Sequence, residues 1–327
     1  MLSRVANAVY WMNRYIERAE NYARFIDVNY NLSLEMPPSL PEQWKPLVVT
    51  TGDWPLFEAI HGKANRNNVI LFLGFEKENP SSIYNCISNA RENARSIRPE
   101  ITKEVWEQIN AMYYMVKDAE QKKLWQRKDP RPFFNDVKRG CQLLYGMFDC
   151  ILARNNSWHF GNIGKLIERA DKTSRILDVK YHMLQPDTKE HGFPLELIQS
   201  VALLKSASAY DMYRKKYGRL SIDNIAQFLI FDKDFPRAML RCLMIAEISL
   251  NIVSQGRPGT HTTSAKQLGL LKSQLEYADV TDINPDGMHA YLDNFQNTLN
   301  AISNTIFEDY FSISAVHLRT QEGHFSQ

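Results

Sequence analysis

YIERAENYARFIDV (15–28) and LIERADKTSRILDV (166–179) share Ile-Glu-Arg-Ala, an acid, an arginine and Asp-Val at one fixed offset. The first stretch lies inside a longer pattern. Leu2, Val5, Val9, Met12, Ile16, Ala19, Ala23, Ile26 and Tyr30 follow one another at spacings of 3 and 4. That spacing lays an apolar stripe along a helix of about 30 residues. A second stripe runs through Trp11, Tyr15, Arg18, Tyr22 and Phe25, so the helix is expected to be buried against several neighbours. The prolines of EMPPSLPEQW (35–44) end it.

The rest of the chain reads the same way. Prolines 80, 99 and 236 each precede an amphipathic run, the preferred place at a helix start. Long helices are expected over about 132–157 and 158–184, followed by 194–217, 221–230, 236–254, 264–278 and 286–312. SQGRPGTHTTS (254–264) reads as a loop and the polar end of the chain, 318–327, as a loose tail. Alternating strand patterns are scarce, and the fold class is all-α.

The opening pair is part of a longer self-similarity. Glu17 and Glu168 stand 151 positions apart, and FLGFEKENPSSIYNC (72–86) matches FLIFDKDFPRAMLRC (228–242) at a spacing of 156. Two matches at nearly one offset predict a duplicated helical unit and a pseudo-two-fold bundle. We divide the chain into a first repeat (1–120), a charged connection (121–132), a second repeat (133–317) and the tail, all within one compact domain. Ala19 and Ala170 occupy matching places, where small side chains permit a close helix crossing.

The bulk numbers are those of an ordinary globular chain: 327 residues, 44% hydrophobic, 23% charged, net charge +2. This balance favours neither nucleic acid nor an anionic membrane surface. No apolar run reaches the roughly 18–20 residues that span a bilayer, and the N-terminus turns charged too soon for a signal peptide. Cys86, Cys141, Cys150 and Cys242 form no C-x-x-C pair, which suits reduced thiols in a cytoplasmic protein. The histidines at 61, 159, 182, 191, 261, 289, 317 and 324 lack clustered ligand spacing. No phosphate loop, nucleophile elbow or dinucleotide fingerprint is present, so no cofactor is expected.

The chemistry-bearing residues are charged. Arg14, Glu17, Glu20, Arg24 and Asp27 form one polar stripe, and Lys165, Glu168, Asp171, Arg175 and Asp178 repeat its signs and spacing. Each acid has a base three or four residues away, so local ion pairs are available. Arg18 and Arg169 fall off these stripes among apolar residues and must be paired or stacked on a ring. Three readings stay open here: an internal ion network, a pocket that binds an anionic or peptide-like ligand through arginines, and a two-metal carboxylate site. The last lacks the Glu-x-x-His pairs of known carboxylate bundles, and no metal is assigned.

ARENARSIR (90–98) adds an asymmetric feature. Arg91, Arg95 and Arg98 share one helix face with Asn93 off it, whereas Glu247, Asn251 and Ser254 stand at the matching places of the second repeat. A face present in one copy only is a candidate anion-binding surface. The basic segment 121–132 with Trp125 is a weaker candidate for touching a partner.

MLSRVANAVYWMNRYIERAENYARFIDV, NPSSIYNCISNARENARSIRPEITKEVWEQIN, GKLIERADKTSRILDV and FPRAMLRCL resemble, in order, the blocks of the bacterial Alpha-E family. The resemblance implies an all-helical cytoplasmic protein found beside, or fused to, circularly permuted ATP-grasp proteins. It also implies transglutaminase-like cysteine peptidases and the proteasome-like peptidase Anbu as neighbours. The implied role is in peptide synthesis, peptide tagging or protein modification, with peptide as the ligand class. By motif it marks Glu17, Arg18, Glu20, Arg24, Arg91, Asn93, Arg95, Arg98, Glu168, Arg169, Asp171, Arg175 and Arg237. The family commonly reads Asn-Pro-Arg-Ser where this chain has Phe-Pro-Arg-Ala (235–238), so Arg237 is retained and a hydroxyl is absent at Ala238. The leading expectation is an accessory helical protein that binds the ATP-grasp partner, its peptide substrate, or both. The alternative is an enzyme between the two ER helices, with Glu17 or Glu168 as general base and Arg18 or Arg169 as anion clamp.

Overall fold

A computed structural model describes residues 3–36, 44–184, 193–255, 262–283 and 287–312. The prolines of 37–43, the loop at 256–261, the tail 318–327 and the histidines at 191, 261, 317 and 324 lie outside the described residues, as does the His182 side chain. Within them the chain is helical throughout, with no strand. Its α-helices are α1 (Ser3–Glu35), α2 (Trp44–Thr51), α3 (Trp54–His61), α4 (Arg66–Gly74), α5 (Ile83–Ser96), α6 (Lys103–Gln121) and α7 (Arg131–Ile151). The second set is α8 (Asn156–Leu184), α9 (Phe193–Ser206), α10 (Tyr210–Tyr217), α11 (Ile222–Phe231), α12 (Met239–Ser254), α13 (Thr263–Glu276) and α14 (Met288–Ile306).

The long helices α1 and α8 form the centre of the bundle. They pack against each other more extensively than any other pair. α1 is then walled by α5 and α7, and α8 by α12 and α14, with α6 on α5 and α13 on α12. The stripe read from the sequence is the buried one: Val9, Met12, Ile16, Ala19, Ala23 and Ile26 on α1, with Ile163, Ile167, Ala170 and Leu177 on α8, are all within the core. The second stripe is buried in part: Tyr22 and Phe25 are enclosed, and Trp11, Tyr15 and Arg18 are half-buried. Glycine brings the two backbones close. A methyl group added at Gly164 would stand 2.3 Å from the Tyr10 carbonyl oxygen, and one at Gly161 would stand 2.6 Å from the Asn13 amide.

Three element boundaries differ from expectation. The run 194–217 is two helices, because Ser208 takes a left-handed conformation (φ 52°) that ends α9 before α10 begins. α7 stops at Ile151 and α8 starts at Asn156, where the Asn155 side chain accepts from the Trp158 backbone amide at 3.1 Å. The last helix changes to a π turn at Phe307–Phe311, which seats Phe311 against Tyr10 and Phe160. The expected connection at 121–132 contains a short 3-10 turn, Leu124–Gln126.

Candidate functional site

The two Ile-Glu-Arg-Ala segments meet at the α1–α8 crossing and exchange partners. Arg169 forks onto Glu17, with Nε to Oε1 at 3.0 Å and the other arm to Oε2 at 2.8 Å. Arg18 forks onto Glu168, with Nε to Oε1 at 2.6 Å and the other arm to Oε2 at 3.0 Å. Each glutamate therefore binds the arginine that follows the other glutamate. Such two-point pairs fix orientation as well as charge.

Both carboxylates are fully buried and further bonded. Glu17 also accepts from Arg237 at 2.9 Å and from the Asn21 amide at 3.1 Å. Glu168 also accepts from Arg14 Nε at 2.9 Å and faces Lys172 at 3.4 Å. Burial by itself raises a carboxyl pKa, yet Arg169 and Arg237 hold Glu17 below the ordinary carboxylate range. Against the same burial effect, Arg18, Lys172 and Arg14 hold Glu168 well below it. Both are committed anions, and with every oxygen engaged neither is poised to take a proton from a substrate.

The network continues outward. Arg237 bonds Glu20 at 2.7 Å, and Glu20 also pairs with Arg24. Asp171 accepts from Lys172 at 2.9 Å and from Arg175 at 3.0 Å. Burial and the neighbouring Arg237 charge push the Arg24 pKa well down. Four acids thus meet seven bases, and a metal ion at Glu17, Glu20, Glu168 and Asp171 would have to displace those cations. Among the described residues no group of three His, Cys, Asp or Glu is placed to hold a metal. Burial raises the Cys86 and Cys242 thiols to about 12, and Cys141 rises likewise, so none of the three is a thiolate at neutral pH.

Several placements correct the sequence reading. Local i,i+4 pairing holds for Glu20–Arg24, Glu168–Lys172 and Asp171–Arg175 only, and the stronger bonds run between helices. Arg18, expected to be paired or stacked, is paired with Glu168, and it is Arg14 that lies 4.8 Å from the Trp11 ring centre. Lys165 is not an ion-pair member: its ammonium stands 5.7 Å from the Tyr145 ring, and burial lowers its pKa. Asp27 and Asp178 lie away from the exchange, paired with Lys138 at 2.6 Å and His289 at 2.8 Å. Lys172, Asn21 and Tyr145 belong to the site but carried no sequence signal beyond lying near it; the glycine pair Gly161 and Gly164, at helical spacing, could have marked the crossing.

The arginines of 90–98 occupy a different environment, and they do not share one helix face as expected: α5 ends at Ser96, and Arg98 lies beyond it in a 3-10 turn, Arg98–Glu100. Arg91 bonds Asn110 at 2.6 Å and stands 4.7 Å from the Tyr113 ring centre. Arg98 stands 4.8 Å from the Trp106 ring centre, and Arg95 is exposed and paired with Glu92 at 2.6 Å. Asn93 is half-buried. Two of the three cations, Arg91 and Arg98, are thus laid over aromatic rings.

Residues 1–311 match the model of Alpha-E, described as a predicted alpha-helical domain with a conserved ER motif, and the chain belongs to that family. It is also similar to "Uncharacterized protein Mb2597" of Mycobacterium bovis, at 20% identity over 262 residues, covering 72% of this chain and 28% of that protein. "Uncharacterized protein Rv2567" of Mycobacterium tuberculosis matches with the same identity and coverage. The chain thus spans under a third of the length of these curated relatives. No solved structure matches. Among the described residues no helix is long and apolar enough to cross a membrane.

Proposed function

We propose that this chain is an accessory, non-catalytic helical protein. Its central Glu-Arg exchange locks the bundle, and its arginines 91, 95 and 98 bind a circularly permuted ATP-grasp partner, that partner's peptide substrate, or both. The observation that carries the reading is the state of Glu17 and Glu168: fully buried, each bonded by at least two arginines, and held ionised. A general base between the ER helices would need a free carboxylate oxygen and room for substrate. The recognition chemistry left on the outside is the cation–aromatic face of Arg91, Arg95 and Arg98, the residue types that dominate protein interfaces. The transglutaminase-like and Anbu-type peptidases are proposed as further members of the same system, and the cytoplasm as its compartment.

The reading includes duplication. The exchanged pairs, the matched walls of α1 and α8, and the shared helix start after Pro80 and Pro236 support two related units. Because α7 packs on α1 as α14 packs on α8, the packing favours a boundary after α7 over one at 121–132.

The test is co-purification of this protein with the ATP-grasp partner, repeated with Arg91, Arg95 and Arg98 all changed to alanine and folding checked by circular dichroism. Loss of the partner from the folded variant is expected. Undiminished capture of both partner and peptide would remove the arginine face from the proposal.

A further inference from the structure

Asn29 on α1 and Lys180 on α8 stand 151 positions apart, the same spacing as Glu17 and Glu168. At the level of the glutamates each carboxylate finds an arginine on the facing helix. At the level of Asn29 and Lys180 the structure brings hydrogen-bond donors together with no anion between them. Both side chains are enclosed, with exposures of 5% and 6%. Both line one cavity of about 10 Å³, whose apolar walls include Phe25, Leu47 and Ile176. A space of this size holds a single water-sized particle.

The donors there outnumber the acceptors. The Lys180 ammonium has three N–H groups, and one goes to the Gln199 side-chain oxygen at 3.0 Å. The Asn29 Nδ2 has no acceptor among the described residues. Thr50 and Ser206 also line the space, but their hydroxyls donate to the Pro46 and Ala202 carbonyls at 2.9 and 2.8 Å. Among the described residues no carboxylate lines the cavity. Burial moves the Lys180 pKa with no charged neighbour contributing. An enclosed ammonium without a counter-charge is costly, and a water would accept its hydrogen bonds while leaving the charge uncompensated.

We propose that this cavity binds a small monovalent anion, a halide such as chloride, which accepts from the Lys180 ammonium and the Asn29 amide. The apolar walls suit a compact, weakly hydrated anion, and the volume leaves no room for phosphate or sulfate. The bound ion takes the place of the missing carboxylate and ties α1 to α8 about three turns beyond the Glu-Arg exchange. A second space of about 30 Å³ shares Val28, Leu32 and Ala202 as walls and is also lined by the exposed Glu35 and Lys205, so the site lies close to solvent. The proposal is independent of the arginine reading above.

Urea midpoints of the full chain are measured at pH 7 and fixed ionic strength while sodium gluconate, too large for the cavity, is exchanged for sodium chloride or bromide. With either halide the midpoint is expected to rise by about 0.5 M and to level off as the site fills. Sodium acetate, too bulky for a space of one small particle, is expected to give no rise. Lys180→Met is expected to fold and to lose the halide response. Asn29→Leu removes one donor and is expected to need about tenfold more halide for half the rise. Equal midpoints in chloride and gluconate would leave the cavity to water and overturn the proposal. A halide response that survives Lys180→Met, or an equal rise in acetate, would overturn it as well.

Discussion

The α1–α8 crossing and the α5 face use the same residue type to opposite ends. At the crossing, arginines are enclosed and every one faces a carboxylate; on and just after α5, Arg91 and Arg98 lie over rings at the surface. In the first setting a guanidinium is held by charge, and removing its partner strands it where water cannot reach. In the second, the charge is already solvated and the ring only orients it. Arginine therefore fixes the fold in one place and leaves binding capacity in the other, and burial decides which.

This contrast can be broken first at the crossing. Glu17→Gln keeps the shape but leaves Arg169 without its anion and Arg237 with Glu20 alone, and a loss of about 3–5 kcal/mol in urea unfolding is expected. A loss below about 1 kcal/mol would remove the lock from our account. The next test concerns a buried charge with no carboxylate. Lys180 is enclosed, bonds the Gln199 side chain at 3.0 Å, and burial lowers its pKa to about 8. Below about pH 8 the folded chain must hold that charge. Between about 8 and the unfolded value near 10.5 the unfolded chain binds the extra proton, so stability rises with pH across that window. Lys180→Met is expected to add up to about 3 kcal/mol at pH 7 and to flatten the rise, measured as urea midpoints from pH 7 to 11.

Geometry at the crossing is tested by Gly164→Ala, where the new methyl meets the Tyr10 carbonyl. A cost of about 2 kcal/mol is expected by thermal unfolding, and an unchanged midpoint would mean that the helices can part freely. A gentler comparison sets the two helix starts side by side. Ser82 caps α5 by accepting from the Asn85 amide, whereas Ala238 opens α12 with no side-chain cap. Ala238→Ser is expected to add about 1 kcal/mol, read as a raised midpoint. The smallest effect belongs to the open face: Arg95→Ala is expected to move stability by less than about 0.5 kcal/mol, read as an almost unchanged midpoint.

The sequence made the helices and their buried stripes readable, because apolar spacing reports directly which side faces the core. It also marked the charged residues of both ER segments. It could not show that Glu17 belongs to Arg169. On a helix every acid in this pattern has a base within reach three or four places along, so the local solution hides the exchanged one. The break at Ser208 was unreadable because SASAY contains neither glycine nor proline, although backbone bonds close the turn there, with the Ala209 N–H donating to the Leu204 carbonyl at 2.7 Å. Arg237 was visible as a marked residue, but its place against Glu17 and Glu20 depends on α12 packing on α8, so that the turn just before α12 reaches α1. The cavity at Lys180 has walls from α1, α2, α8 and α9, and no single stretch announces it.

The exchanged pairs also set an order of events during synthesis. Glu17 leaves the ribosome about 150 residues before Arg169 and more than 200 before Arg237. Until those residues exist, α1 carries carboxylates that an apolar surround would penalise, so its docking must wait for α8 and α12. The ion pairs of greatest sequence separation are thus the ones that neutralise the centre, and formation of the bundle core is tied to near-completion of the chain.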